Sequence, residues 1–284
     1  MPILLLIAAM ASFQIGAAMA KQLFPLVGAA GATALRLGIG FLILLPIWRP
    51  WRRRPSARDA RALLIYGLAM GCMNLFFYLS LSRIPLGVAV AIEFTGPLAV
   101  AVATSRRAID FAWIALAAIG LIELSPLAPQ SNPVDLKGVG LALLAGVFWA
   151  LYIIFGQRAG EAHGGQSTAL GMGVAAMAIV PIGIVHAGRA LFSPMLLPVA
   201  CAVAVLSSAL PYSLEMYALT RLPARTFGVL MSGDPALGAL SGFFLLGEKL
   251  SLMQWSSIGC IILASAGSAA TARHASAGTG LIGS

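Results

Sequence analysis

The stretches RIPLGVAVAIEFTGP, residues 83–97, and RLPARTFGVLMSGDP, residues 221–235, share one pattern. Each begins with Arg-x-Pro, and in each a second proline follows twelve residues after the first. Each also joins one long apolar stretch to another. The chain therefore contains a duplicated membrane unit, an organisation typical of secondary transporters, in which the solute site lies between the two halves.

The composition of the chain predicts that it lies in a membrane. Hydrophobic residues make up 60% of its 284 residues and charged residues 10%, whereas a soluble domain has about 25% charged residues. Ten apolar stretches are each long enough to cross a bilayer core: residues 3–20, 30–48, 62–82, 86–104, 111–127, 137–156, 167–185, 195–219, 225–246 and 252–271. These stretches are continuously apolar rather than alternating, which excludes a β-barrel. The sequence therefore predicts an all-α integral membrane protein with ten transmembrane helices.

The basic residues predict how these helices are oriented. With the N-terminus in the cytoplasm, the inside connections contain Arg49, Arg52, Arg53, Arg54, Arg58, Arg61, Arg106, Arg107, Arg158, Arg221, Arg225 and Arg273. The outside connections contain only Lys21, Arg83, Lys137, Arg189 and Lys249. This asymmetry follows the positive-inside rule, so we expect both termini on the cytoplasmic side. It also accounts for the net charge of +9 without nucleic acid as a partner, because the basic residues flank membrane spans.

The two Arg-x-Pro elements then fall on opposite sides of the membrane. The first joins the third and fourth helices outside, and the second joins the eighth and ninth helices inside. Because five helices per unit is an odd number, the two units must be inverted relative to each other. We expect two inverted five-helix repeats, residues 1–134 and 135–272, and a flexible cytoplasmic tail at 273–284. Inverted repeats let one central site face either side of the membrane.

Individual motifs resemble a known family. Gly233-Asp234-Pro235-Ala236, followed by Gly242 and Leu246-Gly247-Glu248, is similar to the "E-P…G…L-G-E" signature of the drug/metabolite transporter superfamily, EamA type. Further stretches resemble the inner-membrane amino acid exporters of that superfamily: residues 23–28, 33–37, 93–100, 156–160, 208–216 and 219–223. The resemblance runs from about Ala11 to about Thr271. Two residues depart from the pattern, since Asp234 replaces the usual Glu and Glu123 stands where an apolar or aromatic residue is expected.

The resemblance implies a function. It implies a secondary transporter of the bacterial inner membrane that exports small neutral amino acids, similar to threonine or homoserine, by alternating access. Its partners would be the amino acid substrate and the lipid bilayer, and the resemblance leaves the oligomeric state and the driving force open. The alternative within the superfamily is an exporter of other amphipathic metabolites or drugs, because one fold serves many solutes.

The sequence lacks the arrangements that membrane enzymes and metal sites use. It has no mid-membrane His pair, no Gly-x-Ser-x-Gly elbow and no paired aspartate motif. Cys72, Cys201 and Cys260 are each isolated in an apolar segment, without metal-ligand spacing. We therefore predict no enzyme activity, no cofactor and no metal.

Five ionisable residues lie inside predicted membrane helices, and such residues are functional candidates because burying a charge in hydrocarbon is costly. They are Arg36, Glu93, Glu123, Glu215 and Asp234. An amino acid carries a carboxylate and an ammonium group, and Arg can bind a carboxylate with two hydrogen bonds. One hypothesis is therefore that Arg36 binds the substrate carboxylate and Glu93 its ammonium group. The alternative is that Arg36 and Glu93 pair with each other and fix two helices.

The other three carboxylates carry separate hypotheses. Asp234, before Pro235 and near the bilayer midplane, and Glu215, closer to the cytoplasmic end, are candidates for proton coupling, because a buried carboxylate can carry a proton. Asp234 could instead belong to a packing and kink motif, and Glu215 could be neutralised by Arg221 or Arg225. We expect Glu123, near the outer end of its helix, to reach water at the interface.

Polar and aromatic residues predict the lining of the solute path. The candidates are Gln14, Asn74, Tyr78, Trp149, Tyr152 and Tyr212. For the aromatic residues the alternative is an interfacial belt, which is their commoner role in membranes. Asn74 or Tyr78 could bind a substrate hydroxyl group. The prolines of the duplicated element, Pro85, Pro97, Pro223 and Pro235, would mark the helices that move as gates.

Overall fold

The fold is described from a computed structural model, which describes residues 2–52, 56–103, 108–123, 134–163, 165–219 and 230–271. Within these ranges every regular element is helical. Six of the helices are long and apolar enough to cross a membrane, and four shorter apolar helices accompany them. This confirms the prediction of an all-α membrane protein.

The described part of the chain contains twelve α-helices. In chain order they are α1 Pro2–Gln22, α2 Phe24–Trp48, α3 Ala57–Leu81, α4 Leu86–Glu93, α5 Thr95–Ala103, α6 Ala108–Glu123, α7 Leu136–His163, α8 Gln166–Ala187, α9 Leu197–Ala204, α10 Leu210–Leu219, α11 Asp234–Leu246 and α12 Leu252–Thr271. A π-helix, Val205–Ala209, joins α9 to α10.

Successive long helices run in opposite directions, so the bundle has two ends. We name them the Lys21 end, where α1 finishes, and the Trp48 end, where α2 finishes. Ile84 lies at the Lys21 end, because its carbonyl accepts a hydrogen bond from Lys21 Nζ at 3.3 Å. Gly138 packs against Ile84 and so places the start of α7 at the same end. Gly165, just before α8, packs against Trp48 and places the start of α8 at the Trp48 end.

Small residues allow the helices to approach closely, as in other membrane bundles. The closest packing along the bundle joins α3 to α7 and α2 to α8. A Cβ atom added at Gly31 would lie 2.9 Å from the Cβ of Ala187. One added at Gly71 of α3 would lie 3.2 Å from the Cα of Ala175. These glycines therefore have a packing role.

Three of the ten predicted membrane helices are not regular α-helices throughout. The stretch 86–104 divides at Phe94 into α4 and α5, and a turn at Ser232–Gly233 precedes α11. Each break comes just before a proline of the duplicated element, Pro97 or Pro235, whose ring lacks an N–H donor for the preceding turn. The stretch 195–219 contains the π-helix.

Candidate functional site

Two helices, α4 and α11, cross at the centre of the bundle and run in opposite directions. A Cβ atom at Gly87 would lie 2.5 Å from the Cα of Ala239, and one at Gly238 would lie 3.1 Å from a methyl group of Val90. The last residue of α4 is Glu93 and the first of α11 is Asp234, so this crossing brings the two carboxylates to the same level. They are 6% and 5% exposed and lie within electrostatic range of each other.

Arg36 of α2 is fully buried and lies within electrostatic range of Glu93. Its Nε donates a hydrogen bond to Ser208 Oγ at 3.2 Å, its Nη1 donates to Asn74 Oδ1, and its Nη2 donates to the Ser207 carbonyl at 2.7 Å. A guanidinium group has five N–H donors. Among the described residues, two of them remain after these three hydrogen bonds and can be offered to a ligand.

The Ser207 carbonyl is available because of a proline. In an α-helix that carbonyl would accept from the N–H of residue 211, which is Pro211 and has none. The helix widens instead into the π-helix, in which Leu210 N–H bonds to the Val205 carbonyl. Such π-bulges are frequent at functional sites. Here the bulge supplies the acceptor that holds Arg36.

Arg36 has electrically neutral partners. Besides Asn74 and the two serines, it lies over the ring of Phe13 at 4.7 Å and that of Tyr78 at 5.3 Å. Glu93 is within electrostatic range, but among the described residues the ion pairs are Lys21–Glu248 and Arg83–Asp135. Among the described residues, Arg36 and Glu93 are therefore near each other without forming an ion pair.

Around these charges several buried polar atoms have no hydrogen-bond partner among the described residues. They include both amide atoms of Gln14, the hydroxyl groups of Tyr78 and Tyr212, and Oδ1 of Asp234. Gln14 lies beside Asp234 and Tyr212 beside Asn74. Because each such group costs about 1–3 kcal/mol when left unpaired, their concentration in one place marks a site for a polar ligand.

The remaining predicted site residues flank this centre. Trp149 is half-buried and packs edge-to-face on Phe94, at the break between α4 and α5, with ring centroids 5.2 Å apart. Tyr152 stacks on Tyr66 at 4.9 Å, nearer the Trp48 end. Glu215 of α10 is half-buried and within electrostatic range of Arg36.

Three of the four predicted gating prolines lie at the start of a helix. Pro85 immediately precedes α4, and Pro97 lies in the first turn of α5. Pro235 lies in the first turn of α11. Pro223 lies outside the described residues.

Glu123 is held away from this centre. Its Oε2 accepts hydrogen bonds from Ser256 Oγ at 3.0 Å and from Ser257 Oγ at 3.2 Å, both on α12. The prediction that Glu123 reaches water did not include these two serines. The sequence alone does not show that the end of α6 lies beside α12.

Sequence reasoning did not single out Phe13, Ser207 or Tyr66. For Ser207 a signal exists, namely a proline four residues later that frees its carbonyl. Phe13 and Tyr66 carry no such signal, because an aromatic residue in an apolar helix is ordinary.

A helical membrane bundle that buries an arginine, carboxylates and unpartnered polar atoms at its centre has the features of a membrane transporter. Residues 136–269 match the EamA-like transporter family. The chain belongs to this family, as the resemblance predicts. Since the family consists of transporters, membership also agrees with the prediction that the chain is not an enzyme.

Relatives match along almost the whole chain. A protein of Escherichia coli (strain K12), named threonine/homoserine exporter RhtA, is 55% identical over 276 residues, which are 97% of this chain and 94% of the relative. A protein of the same name from Salmonella typhimurium (strain LT2) is 56% identical over 274 residues, 96% of this chain and 93% of the relative. A solved crystal structure with 19% identity superposes with a TM-score of 0.61 over 96% of this chain and 98% of its own, so the two share a fold.

Proposed function

We propose that this protein exports threonine, homoserine and similar small neutral amino acids from the cytoplasm across the bacterial inner membrane. The relatives that are 55–56% identical carry the name of threonine/homoserine exporters. The observation that carries the proposal is Arg36, fully buried and held by neutral groups alone. A buried cation without a counter-ion is well suited to bind an anionic group of a ligand.

The substrate carboxylate binds the two free N–H groups of Arg36, and its ammonium group binds Glu93 or Asp234. The two carboxylates lie on the two crossing helices, within electrostatic range of each other. One ammonium group between them could donate hydrogen bonds to both carboxyl groups. A neutral amino acid thus supplies what this centre lacks, a carboxylate on one side and a cation on the other.

The hydroxyl group that threonine and homoserine share has candidate partners in Tyr78, Tyr212 and Gln14. Their polar atoms are buried and unpartnered. A site built to hydrogen-bond a hydroxyl group discriminates strongly against substrates without one, because its own polar groups then stay unpaired. This chemistry favours threonine over apolar amino acids of similar size.

Transport proceeds by alternating access between two inverted five-helix repeats, residues 1–134 and 135–272. The packing supports this division, because helix contacts recur when the two halves are exchanged. The counterpart of α3 is α10, and the counterpart of α7 is α1. α3 packs on α7, and α10 packs on α1 in the same way. The other counterparts pack on each other, namely α2 on α8, α4 on α11 and α6 on α12. The helix breaks at Phe94 and Ser232 also lie at equivalent positions, each three residues before the second proline.

Both termini face the cytoplasm, because the basic residues concentrate on that side. The Lys21 end of the bundle is then the outer end and the Trp48 end the inner one. Proton antiport is the driving force, with Asp234 or Glu215 as the proton carrier. Both carboxylates lie within electrostatic range of each other, and Asp234 also lies beside the substrate centre.

An efflux assay tests substrate and site together. Cells without their own amino acid exporters are loaded with labelled threonine or homoserine, and efflux is compared with and without the protein. Wild-type protein should accelerate efflux, and Arg36→Lys and Glu93→Gln should abolish most of the acceleration at equal membrane abundance. Arg36→Lys keeps the charge but loses the paired donors that bind a carboxylate.

Glu123→Gln is the matched control. It neutralises a carboxylate outside the centre, and its amide oxygen can still accept from Ser256 and Ser257, so efflux should stay at the wild-type rate. Efflux that survives both site substitutions would keep the function and reject the site. No efflux of either amino acid by the wild-type protein would assign the substrate to other amphipathic metabolites.

A further inference from the structure

A second set of charged residues lies at the Lys21 end, outside the substrate centre. Glu248, just after α11, pairs through Oε1 with Lys21 Nζ at 2.6 Å. Its Oε2 accepts a hydrogen bond from the backbone N–H of Leu86, the first residue of α4, at 2.8 Å. Lys21 Nζ also donates to the Ile84 carbonyl at 3.3 Å. We call these groups the Lys21–Glu248 cluster.

Local backbone geometry fixes Glu248 in this position. Gly247 ends α11 with φ +65°, a left-handed conformation that glycine adopts without strain. The N–H of Glu248 then donates back to the Gly242 carbonyl at 3.1 Å. Gly242 has no Cβ, and Glu248 Oε2 occupies the space that a Cβ would need. The Gly…Leu-Gly-Glu pattern therefore aims one carboxylate across the bundle at α4.

This cluster connects three segments that are distant in sequence: the end of α1, the start of α4 and the turn after α11. Its side chains are 24% and 13% exposed, whereas those of the Arg83–Asp135 pair are 43% and 38% exposed. Partial burial strengthens an ion pair, while exposed pairs contribute little. The carboxylate also lies at the N-terminus of α4, where the helix dipole favours a negative charge.

The cluster acts on the same two helices that carry the central carboxylates. Glu93 lies at the far end of α4 and Asp234 at the far end of α11. Contacts that tie Glu248 to Leu86 therefore hold the ends of α4 and α11 together at the Lys21 end. Separating α4 from α11 at the Lys21 end requires breaking these contacts.

Between the cluster and the substrate centre, one face of α1 is buried. Gln14, Ala17 and Lys21 are spaced by three and four residues and so share one face of α1. Gln14 and Ala17 are fully buried. Ala17 therefore lies between the substrate centre and the Lys21–Glu248 cluster along this face of α1.

We infer that the Lys21–Glu248 cluster is the outer gate of the transport path, closed in this structure and opened when α11 separates from α1 and α4. This inference rests on the proposed function, since only a transporter needs the opening. Lys21 and Glu248 are then residues of the transport cycle that do not belong to the substrate site.

Thiol labelling from outside the cell tests the gate. Cys72, Cys201 and Cys260 are replaced by serine, and Ala17→Cys is introduced as a reporter about 6 Å below Lys21 along α1. A membrane-impermeant maleimide is applied to intact cells, and the labelling rate is measured. Lys21→Met and Glu248→Gln should each raise that rate roughly tenfold or more, since each removes a charge-assisted contact. Glu248→Gln keeps an acceptor for Leu86, so it isolates the ion pair.

Two control variants should label at the slow rate of the reference protein. Lys21→Arg preserves the ion pair, and Asp135→Asn breaks the exposed Arg83–Asp135 pair at the same end. A second reporter, Gln14→Cys, lies one helical turn deeper on the same face and should give the same order of rates. It replaces Ala17→Cys if that protein does not fold.

The outcomes separate the gate from the proposed function, because labelling needs no transported solute. Unchanged labelling in Lys21→Met and Glu248→Gln, with threonine efflux present, overturns the gate. An increase only when the reagent reaches the cytoplasmic side overturns its assignment to the outside. Faster labelling from outside supports the gate, even where threonine efflux is absent and the substrate assignment fails.

Discussion

Replacing Asn74 by Asp tests why Arg36 is held by neutral partners. Asn74 accepts a hydrogen bond from Arg36 Nη1 through Oδ1 and donates one from Nδ2 to the Met70 carbonyl at 2.8 Å. Aspartate has nearly the same shape but places a negative charge directly against the guanidinium group. The substrate carboxylate would then compete with a permanent carboxylate for Arg36.

The size of this effect follows from the geometry. Two unit charges 4 Å apart interact by about 4 kcal/mol at an effective dielectric constant of 20. Arg36 is fully buried, so solvent screens it little, and half of that value is a cautious lower bound. A loss of about 2–4 kcal/mol corresponds to about 30-fold to 1,000-fold weaker substrate binding.

The measurement is threonine efflux from proteoliposomes, with the half-saturating concentration determined for wild type, Asn74→Asp and Asn74→Leu. Leu is the matched control, because it loses both hydrogen bonds without adding a charge. We expect Asn74→Asp to have the highest half-saturating concentration. It should also unfold at a higher temperature than Asn74→Leu, because its new ion pair stabilises the fold.

Two results would refute this reasoning. If Asn74→Asp bound threonine as tightly as wild type, Arg36 would not be the carboxylate partner. If Asn74→Asp and Asn74→Leu lost affinity equally, packing rather than charge would explain the role of Asn74.

Two further predictions concern packing and an exposed ion pair. Gly87→Leu should lower the unfolding temperature and abolish efflux, because a Cβ there would lie 2.5 Å from the Cα of Ala239. Gly140→Leu is the control and should be close to wild type in both measurements, because a Cβ at Gly140 would have no atom within 4 Å. The hydrogen bond from Arg83, and then that from the Lys137 N–H, lower the pKa of Asp135. A carboxyl group with a lowered pKa adds stability above its unfolded pKa and loses it as the pH falls through the folded pKa. The difference in unfolding temperature between wild type and Asp135→Asn is small at neutral pH because the pair is exposed. It should therefore shrink as the pH falls below the ordinary aspartate pKa of about 3.9 and vanish once the pH is below the lowered pKa of Asp135.

The candidate site could be predicted in its composition but not in its geometry. Arg36, Glu93 and Asp234 stand out in the sequence because charged residues are rare in apolar helices. Their mutual position depends on the crossing of α4 and α11, and this crossing depends on small residues far apart in the chain, such as Gly87 and Ala239. The three hydrogen bonds of Arg36 likewise come from α3 and from the π-helix.

Glu248 shows a different limit. The sequence places it in a family signature, but the pattern gives no partner for it. Lys21 lies 227 residues away along the chain, and the N–H of Leu86 becomes a donor only because α4 begins there. Such a contact depends on three-dimensional proximity alone.

The sequence by itself determined the membrane location, the helical class and the positions of the buried charges. Hydrophobic burial and the need to satisfy backbone hydrogen bonds in lipid act on each segment locally, so they can be deduced residue by residue. Among the described residues, the tertiary structure decided which charged side chains form ion pairs and which do not. These depend on close packing between helices, where a single missing Cβ lets two distant segments touch, and no local pattern specifies that distance.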